Sequence, residues 1–465
     1  SFCCNGIIAA DRTFHPHAYE VAYQYRSIHT SASTEEALSG VVNVYNEYFF
    51  IDLSRYMAQW DVEVDGAKVL SGYVPSLNVA PGQTEKISLG FNEADILEAC
   101  GASGLSGHDV YLNVRYFLKK ADGILPAGSE VAYDQICLNE AALDVYENLS
   151  GLPEYGEEGA RHIFYGNMKF DGAGNDRIAP WKAVFDAASG ALVAYELGEK
   201  ALVDEPLMPC FARAAIENDL GAKQDRRQEV WRTAEFKVSS FDVARTDSCY
   251  VVSVGFAPIA GSAAVAMRYE VYADGSIVVT ESMTDAGNLA EMPILPRFGI
   301  NFAMNGAYST FEFFGYGLGP HENYIDRTSS ALMGHYVQRV EDQYHYGYVR
   351  PQESGTKTHF KWMRVLDDNG AGFEIRSDVK FSASALPFSW KQMDVKMLDD
   401  NQAHSLDLKA LAFENERSLG KTWVNVDLVQ MGLACVNSWG AWPREEYRIN
   451  AQPYEFRFVL TPVNN

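Results

Sequence analysis

Three observations predict an all-β chain. Apolar and polar residues alternate in short runs, turn residues punctuate those runs, and almost no stretch carries the 3.6-residue period of a helix. The alternation divides the chain into an immunoglobulin-like β-sandwich over residues 20–137 and a large antiparallel sandwich over 161–465, with a linker over 138–160. The aromatic load, 26 Tyr, 25 Phe and 8 Trp, suits sandwich cores, carbohydrate-binding surfaces, or both.

The elements follow in order. Trp60, Val62 and Val64 alternate with Asp61 and Glu63, and Asp65-Gly66 then supplies a hairpin turn. Val110, Leu112, Val114 and Tyr116 alternate with Tyr111, Asn113 and Arg115. Asp122-Gly123 marks the next turn, and another apolar run starts near Val131. About seven short strands in this region are what an immunoglobulin-like sandwich requires. The stretch around Glu154-Tyr155-Gly156-Glu157-Glu158-Gly159 is polar and glycine-rich, and Asp171-Gly172-Ala173-Gly174-Asn175-Asp176 is a turn cluster. Beyond it, Phe185-Asp186 and Ala191-Leu192 flank a four-residue turn, and Ala273-Asp274-Gly275 joins two further strands. Strands are expected around 296–303, 358–365, 371–377, 406–413, 423–431 and 454–461, with weak helical patches at 93–99 and 225–232.

Composition excludes several functions. With 38 Lys+Arg against 62 Asp+Glu, the net charge of −24 argues against a partner that presents a phosphate backbone. No run of 18 apolar residues is present, so no membrane-spanning helix is expected. Seven scattered cysteines, without a CxxC, read as reduced thiols packed as small hydrophobes, which favours the cytoplasm and leaves a periplasmic or secreted location open. There is no GxSxG, HExxH, phosphate-binding loop or dinucleotide fingerprint. His15-Pro16-His17 lacks a third ligand nearby and reads as a surface loop. His321-Glu322 could exchange protons, but it follows Gly317-Leu318-Gly319-Pro320 and reads first as a turn. Trp439 and Trp442 bracket Gly440-Ala441, and a Trp in such a loop can stack on a sugar or plug the end of a sandwich.

Five segments, in order, resemble the large bacterial β-galactosidases of the second glycoside hydrolase family. Phe2-Cys3-Cys4-Asn5-Gly6 with Ala10-Asp11-Arg12-Thr13-Phe14-His15-Pro16 is similar to the last turns of that family's catalytic barrel. Phe211-Ala212-Arg213-Ala214 with Glu217-Asn218-Asp219-Leu220-Gly221 resembles its FxRAPxDND-G segment. Gly317-Leu318-Gly319-Pro320-His321-Glu322-Asn323-Tyr324 with Asp326-Arg327 resembles GLGPxENYxDR, and Tyr348-Val349-Arg350-Pro351-Gln352-Glu353-Ser354-Gly355 resembles YVxPxExG. Met431-Gly432-Leu433 with Asn437-Ser438-Trp439-Gly440 resembles MGxGGDDSWG.

The resemblance implies residues 1–19 as the tail of a catalytic barrel, then an immunoglobulin-like domain and a galactose-mutarotase-like β-supersandwich. It implies a retaining hydrolase of terminal β-galactosides whose nucleophile and acid/base glutamates lie on the barrel, outside this sequence. No catalytic residue is then expected in this chain, and the chain alone is expected to be inactive. By position in the motifs, Trp439 and Asn437 fall on the aglycone side of the pocket, and Gly221 falls at the hinge of a mobile loop. The Phe2 carbonyl and the Asn5 amide oxygen match two ligands of a sodium ion, an incomplete set that the chain alone is not expected to fill. Sodium and magnesium are expected in the intact enzyme, as is a homo-oligomer. The family's Gly-Gly-Asp-Asp is replaced by Ala434-Cys435-Val436-Asn437, a stiffer and more apolar loop that leaves the aglycone preference open. Two other readings compete: a stand-alone carbohydrate-binding sandwich, and, by architecture alone, a sugar epimerase using His321 or His404.

Overall fold

A computed structural model describes residues 6–170, 177–319, 321–348, 351–394, 420–434, 436–437 and 440–464. The chain divides into two units. One comprises Pro16–Ala142 with Ser329–His335, and the other the segment ending at His15 with Leu143–Thr328 and Tyr336–Asn465.

The smaller unit is a sandwich of seven strands. Ile28–Ser31, Val41–Asn46 and Thr84–Ser88 form one sheet, and Ala67–Val74, Tyr56–Val64, Val110–Leu118 and Glu130–Asn139, in that spatial order, form the other. The alternation read from the sequence fixes what faces inward: Trp60, Val62, Leu112, Val114 and Tyr116 are buried with Ile28, Val42 and Val44. Asp61 departs from that alternation and is also buried, because Asn113 on the paired strand donates to its carboxylate at 2.9 Å and Lys68 stands 3.0 Å away. Asp65 and Gly66 have φ of +50° and +81°, the two left-handed positions of a tight hairpin turn, so Val64 pairs with Ala67. The helix Glu93–Cys100 starts at Asn92, whose side chain accepts from the Ala94 N–H, and ends at Gly101 with φ +69°.

The larger unit is one curled antiparallel sheet. Part of the stretch read as a linker belongs to it. Glu154–Glu158 is a strand paired with Arg161–Phe170, and its Tyr155 ring packs on Phe164 and Tyr250 of the core. Arg177–Asp186 and Ala191–Leu197 form the expected hairpin, with Asp186 accepting from the Ser189 N–H and hydroxyl at 3.0 and 2.8 Å. The strands expected later in the chain occur as Arg297–Asn305, Lys357–Leu366, Ala371–Leu386, Lys421–Gln430 and Tyr454–Asn464, and 406–413 lies outside the described residues. The 16-residue strand Ala371–Leu386 changes partners along its length. Ala371 to Arg376 pair with Asn464 to Val459, and Ser382 to Leu386 pair with Asp427 to Trp423. That exchange curls the sheet around an aromatic core including Phe298, Phe311, Phe313, Phe360, Phe373, Phe381 and Phe456. The helical patch near 225–232 occurs as two single turns, Gln224–Arg227 and Glu229–Arg232. Among the described residues no helix is long and apolar enough to cross a membrane.

Gly72 lies under the Trp60 indole, where an added Cβ would stand 2.5 Å from a ring carbon. Gly72→Val is expected to overpack the smaller unit and cost about 1–3 kcal/mol. Urea unfolding followed by tryptophan fluorescence reads the effect, and wild-type stability would show that the ring has room to move.

Candidate functional site

Three of the motif segments continue strands of the larger unit, a fourth leads into the strand Lys357–Leu366, and buried polar groups tie them together. Residues 210–216 follow the strand Glu205–Pro209 as an apolar run interrupted by one charge, Arg213. The Arg213 guanidinium is 2% exposed. It donates to the Asp219 carboxylate at 3.0 and 3.2 Å, and to the carbonyls of Met431 and Gly432. Asp219 belongs to the one-turn helix Glu217–Gly221 and also accepts from the Ile216 N–H at 3.2 Å, securing that turn's first amide. Arg232 donates to the Arg213 carbonyl at 2.9 Å and pairs with Asp394. A buried charge held this way joins the 210–222 segment to the segment beginning at Met431.

Asp326 repeats the arrangement from the other side. Its carboxylate accepts from the N–H groups of Leu433 and Ala434 at 3.1 and 2.8 Å. Gly432 allows the approach, since an added Cβ would stand 2.6 Å from the Asp326 carboxyl carbon. Ala434 has φ +61°, a left-handed conformation that glycine adopts freely and alanine does not. The exchange of glycine for alanine in this motif thus leaves the backbone in a glycine-like shape, held there by Asp326. Ile216, Tyr324 and Leu433 form a small apolar cluster among the same three segments.

Glu322 and Asn323 secure the fourth segment. Glu322 accepts from the Tyr348 hydroxyl at 2.7 Å and the Gly355 N–H at 2.8 Å. Asn323 accepts from the N–H and hydroxyl of Thr358 and donates to the Tyr316 carbonyl. Thr358 sits where the register of Lys357–Leu366 shifts and the next residue, His359, has φ +61°, so Asn323 pins a bulge. The first motif arrives through His15, whose Nδ1 lies 3.0 Å from Nε2 of His345 and whose ring stacks on Tyr348. His15 was expected in a surface loop; its contacts with these two rings bury it to 6% exposure instead.

Burial shifts the titratable groups among these loops. Burial pushes the His321 pKa down to about 4, leaving it neutral at pH 7, and burial also lowers His345. The Lys357 amine, fully buried and donating to Gln343, is pushed down to about 7 by desolvation, with Glu322 opposing the shift. The carboxylates of Glu322 and Asp326 are each occupied by two donors, so the His321-Glu322 pair acts as a turn and anchor. Among the described residues no group of three or more His, Cys, Asp or Glu is placed to hold a metal ion.

Gly221 and Gly440 meet directly. Gly440 has φ +80°, and an added Cβ would stand 2.2 Å from the Gly221 carbonyl carbon and 2.3 Å from the Ala222 nitrogen. Trp442 lies near the guanidiniums of Arg227 and Arg448, 5.1 and 5.4 Å from its ring, a cation–π arrangement linking the turn after Gly221 to the Trp442 loop. Asn437 is exposed in the same loop. Phe2, Asn5 and Trp439 lie outside the described residues. The anchors Asp219 and Asp326 were visible in the sequence only as motif letters, and Glu322 as half of a His-Glu pair read as a turn. The one signal for Arg213 was a lone charge in an apolar run.

A family described as "Beta galactosidase small chain" matches residues 177–460, and one described as "Beta-galactosidase, domain 4" matches 42–139. A β-galactosidase of Priestia megaterium is 28% identical over all of this chain and 41% of its own length. One of Halalkalibacterium halodurans is 29% identical over all of this chain and 42% of its own length. The chain thus spans about two fifths of these curated relatives. Among solved structures, a GalM/aldose epimerase homologue from C. elegans aligns with 64% of this chain and 99% of its own, at 10% identity and a TM-score of 0.29.

Asp219→Ala leaves the Arg213 guanidinium buried without its counter-charge, an expected loss of about 3–5 kcal/mol. Asp219→Asn, which keeps an acceptor, is expected to lose less. Equal losses for the two variants in urea titrations would mean that the charge itself contributes nothing.

Proposed function

Since the chain belongs to the β-galactosidase small-chain family, we propose that it forms the C-terminal part of a retaining β-galactosidase and supplies the aglycone side of its active site. The observation that carries this reading is the convergence of the motif loops: Arg213 and Asp326 hold the segment from Met431 in place, and Gly440 within that loop abuts Gly221. In this reading Trp439 is the platform on which the leaving sugar stacks, Asn437 lines the same side, and Gly221 is the hinge of a loop that closes over substrate.

Cleavage of a β-galactoside with retention needs two carboxyl groups about 5–5.5 Å apart, one as nucleophile and one as acid/base. The anchoring carboxylates described above are engaged by donors, so the reading assigns both chemical roles to the barrel of the longer polypeptide. The chain alone then binds and orients without breaking a bond. The Phe2 carbonyl and Asn5 amide oxygen would offer hard oxygen donors to sodium, and magnesium belongs with the barrel. A homo-oligomer in the cytoplasm, without nucleic-acid or membrane partners, completes the proposal. The acidic balance of the sequence supports the exclusion of nucleic acid.

The test compares the isolated chain with the intact polypeptide on a nitrophenyl β-galactoside and on a disaccharide β-galactoside. The isolated chain is expected to hydrolyse neither. In the intact enzyme, Trp439→Ala is expected to weaken kcat/KM for the disaccharide by roughly tenfold, equivalent to about 1.4 kcal/mol, with a smaller effect on galactosyl transfer to water. Turnover by the isolated chain would overturn the division of labour. Micromolar galactoside binding by the isolated chain would favour a stand-alone binding module.

A further inference from the structure

Beneath the loop network, the interior of the larger unit holds charged side chains outside the contacts of Arg213, Glu322 and Asp326. Glu281, on the strand Ile277–Asp285, and Asp427, on Lys421–Gln430, are fully buried, and Arg297, Glu353 and Gln430 are nearly so. Arg297 donates through Nη2 to Gln430 Oε1 at 2.7 Å. It stands 3.5 Å from Glu353 Oε2 and, through Nε, 3.8 Å from Asp427 Oδ2. The Thr356 hydroxyl lies 2.8 Å from Glu353 Oε1 and 3.2 Å from Gln430 Oε1. Gly299, paired with Asp427 across the sheet, admits that carboxylate: an added Cβ would stand 2.4 Å from Asp427 Oδ1. Cys210 and Tyr269 complete the surroundings, each within the electrostatic reach of Glu281.

These groups do not satisfy one another. Both Glu281 oxygens, both Asp427 oxygens, Glu353 Oε2, Arg297 Nε and Nη1, Gln430 Nε2 and the Tyr269 hydroxyl have no hydrogen-bond partner among the described residues. Buried polar atoms in folded proteins are nearly always hydrogen-bonded, and so many orphans in one interior would oppose folding strongly. A metal ion does not account for them, because no three acidic, His or Cys side chains among the described residues stand together as ligands. Donors and acceptors are interspersed, and the gaps between Arg297 and its acids exceed good hydrogen-bond length. Water fits both features, since it donates and accepts and bridges such gaps.

We propose that the core of the larger unit encloses a cluster of ordered waters held by Glu281, Arg297, Glu353, Asp427 and Gln430. The cluster underlies the site loops. Gln430 is followed by Met431, whose carbonyl receives Arg213, and Glu353 is followed two residues later by Gly355, whose N–H goes to Glu322. The acids also retain protons. Burial raises Glu281 well above the ordinary carboxylate range, with Asp427 adding to the shift. Burial raises Asp427 to about 7, against the pull of Arg297 and with the help of Glu353.

The folded chain therefore holds a proton on Asp427 that the unfolded chain releases near pH 4. This group's contribution to stability is largest below about pH 4 and is lost as pH rises to about 7. Asp427→Asn is expected to remove that part of the decline, and an unchanged slope between pH 4 and 7 would overturn the proton assignment. Glu281→Gln, which can still bond to water, is expected to melt near the wild type, whereas Glu281→Leu is expected to lower Tm by about 3 °C or more. A dry carboxylate would give the opposite, with Glu281→Leu as stable as the wild type or more so. A crystal structure of the unaltered chain decides the matter without relying on any variant folding. Ordered waters bonded to Glu281, Asp427 and Arg297 support the cluster, and direct contacts between those side chains with no water between them overturn it.

Discussion

A guanidinium cannot remain buried without partners, and the arrangement of the loops follows from that constraint on Arg213. Its counter-charge, Asp219, sits on a single helical turn, an element too short to persist alone in water. Its remaining donors go to backbone carbonyls of Met431 and Gly432, more than 200 residues away in sequence. Gly221, at the end of that turn, lies against Gly440, where an added Cβ would stand 2.2 Å from the Gly221 carbonyl carbon. Asp326 then adds two N–H bonds to the same segment and holds Ala434 in a conformation it would not choose.

The sheet makes this possible because the loops are extensions of rigid strands. The segment from Cys210 continues Glu205–Pro209, the segment from Leu318 continues Thr310–Gly317, and the segment from Met431 continues Lys421–Gln430. Arg297–Asn305 pairs with both Glu205–Pro209 and Lys421–Gln430, so two of the three loops leave neighbouring positions on one sheet. Polar groups of the interior run up to this edge through Gln430 and Glu353. A fold that buries charge under its loops needs those charges satisfied, by protein, water or protons, before the loops can settle. The same residues that cost stability fix the register of the segments they join.

The fold was largely legible. Alternation and turn residues located the smaller unit's strands, the Asp65-Gly66 turn and the Phe185-to-Leu192 hairpin, because period 2 and φ > 0 preferences are local properties of the chain. Where the reading failed, a neighbour had changed the meaning of a residue. Glu154–Glu158 looked like linker because it is rich in Glu and Gly, yet its backbone completes a sheet and its one aromatic, Tyr155, packs on the core. Asp61 broke the alternation because Asn113 and Lys68 made burial tolerable. His15 looked exposed until His345 and Tyr348 covered it. The site was legible as segments and not as geometry. The motifs marked Gly221 and the loop of Asn437 and Gly440, but nothing in them told that Arg213, Glu322 and Asp326 serve as anchors.

The sequence by itself determined the all-β class, the order of the two sandwiches, the turn positions and the family resemblance. All of these are carried by residue type at short spacing. Only the tertiary structure decided which charged residues are buried, which carbonyls receive Arg213, why Ala434 stands where glycine would fit, and that Gly440 meets Gly221. Those outcomes depend on partners between about 100 and 220 residues apart, and the worth of a buried charge or an added Cβ is set by what the fold places against it.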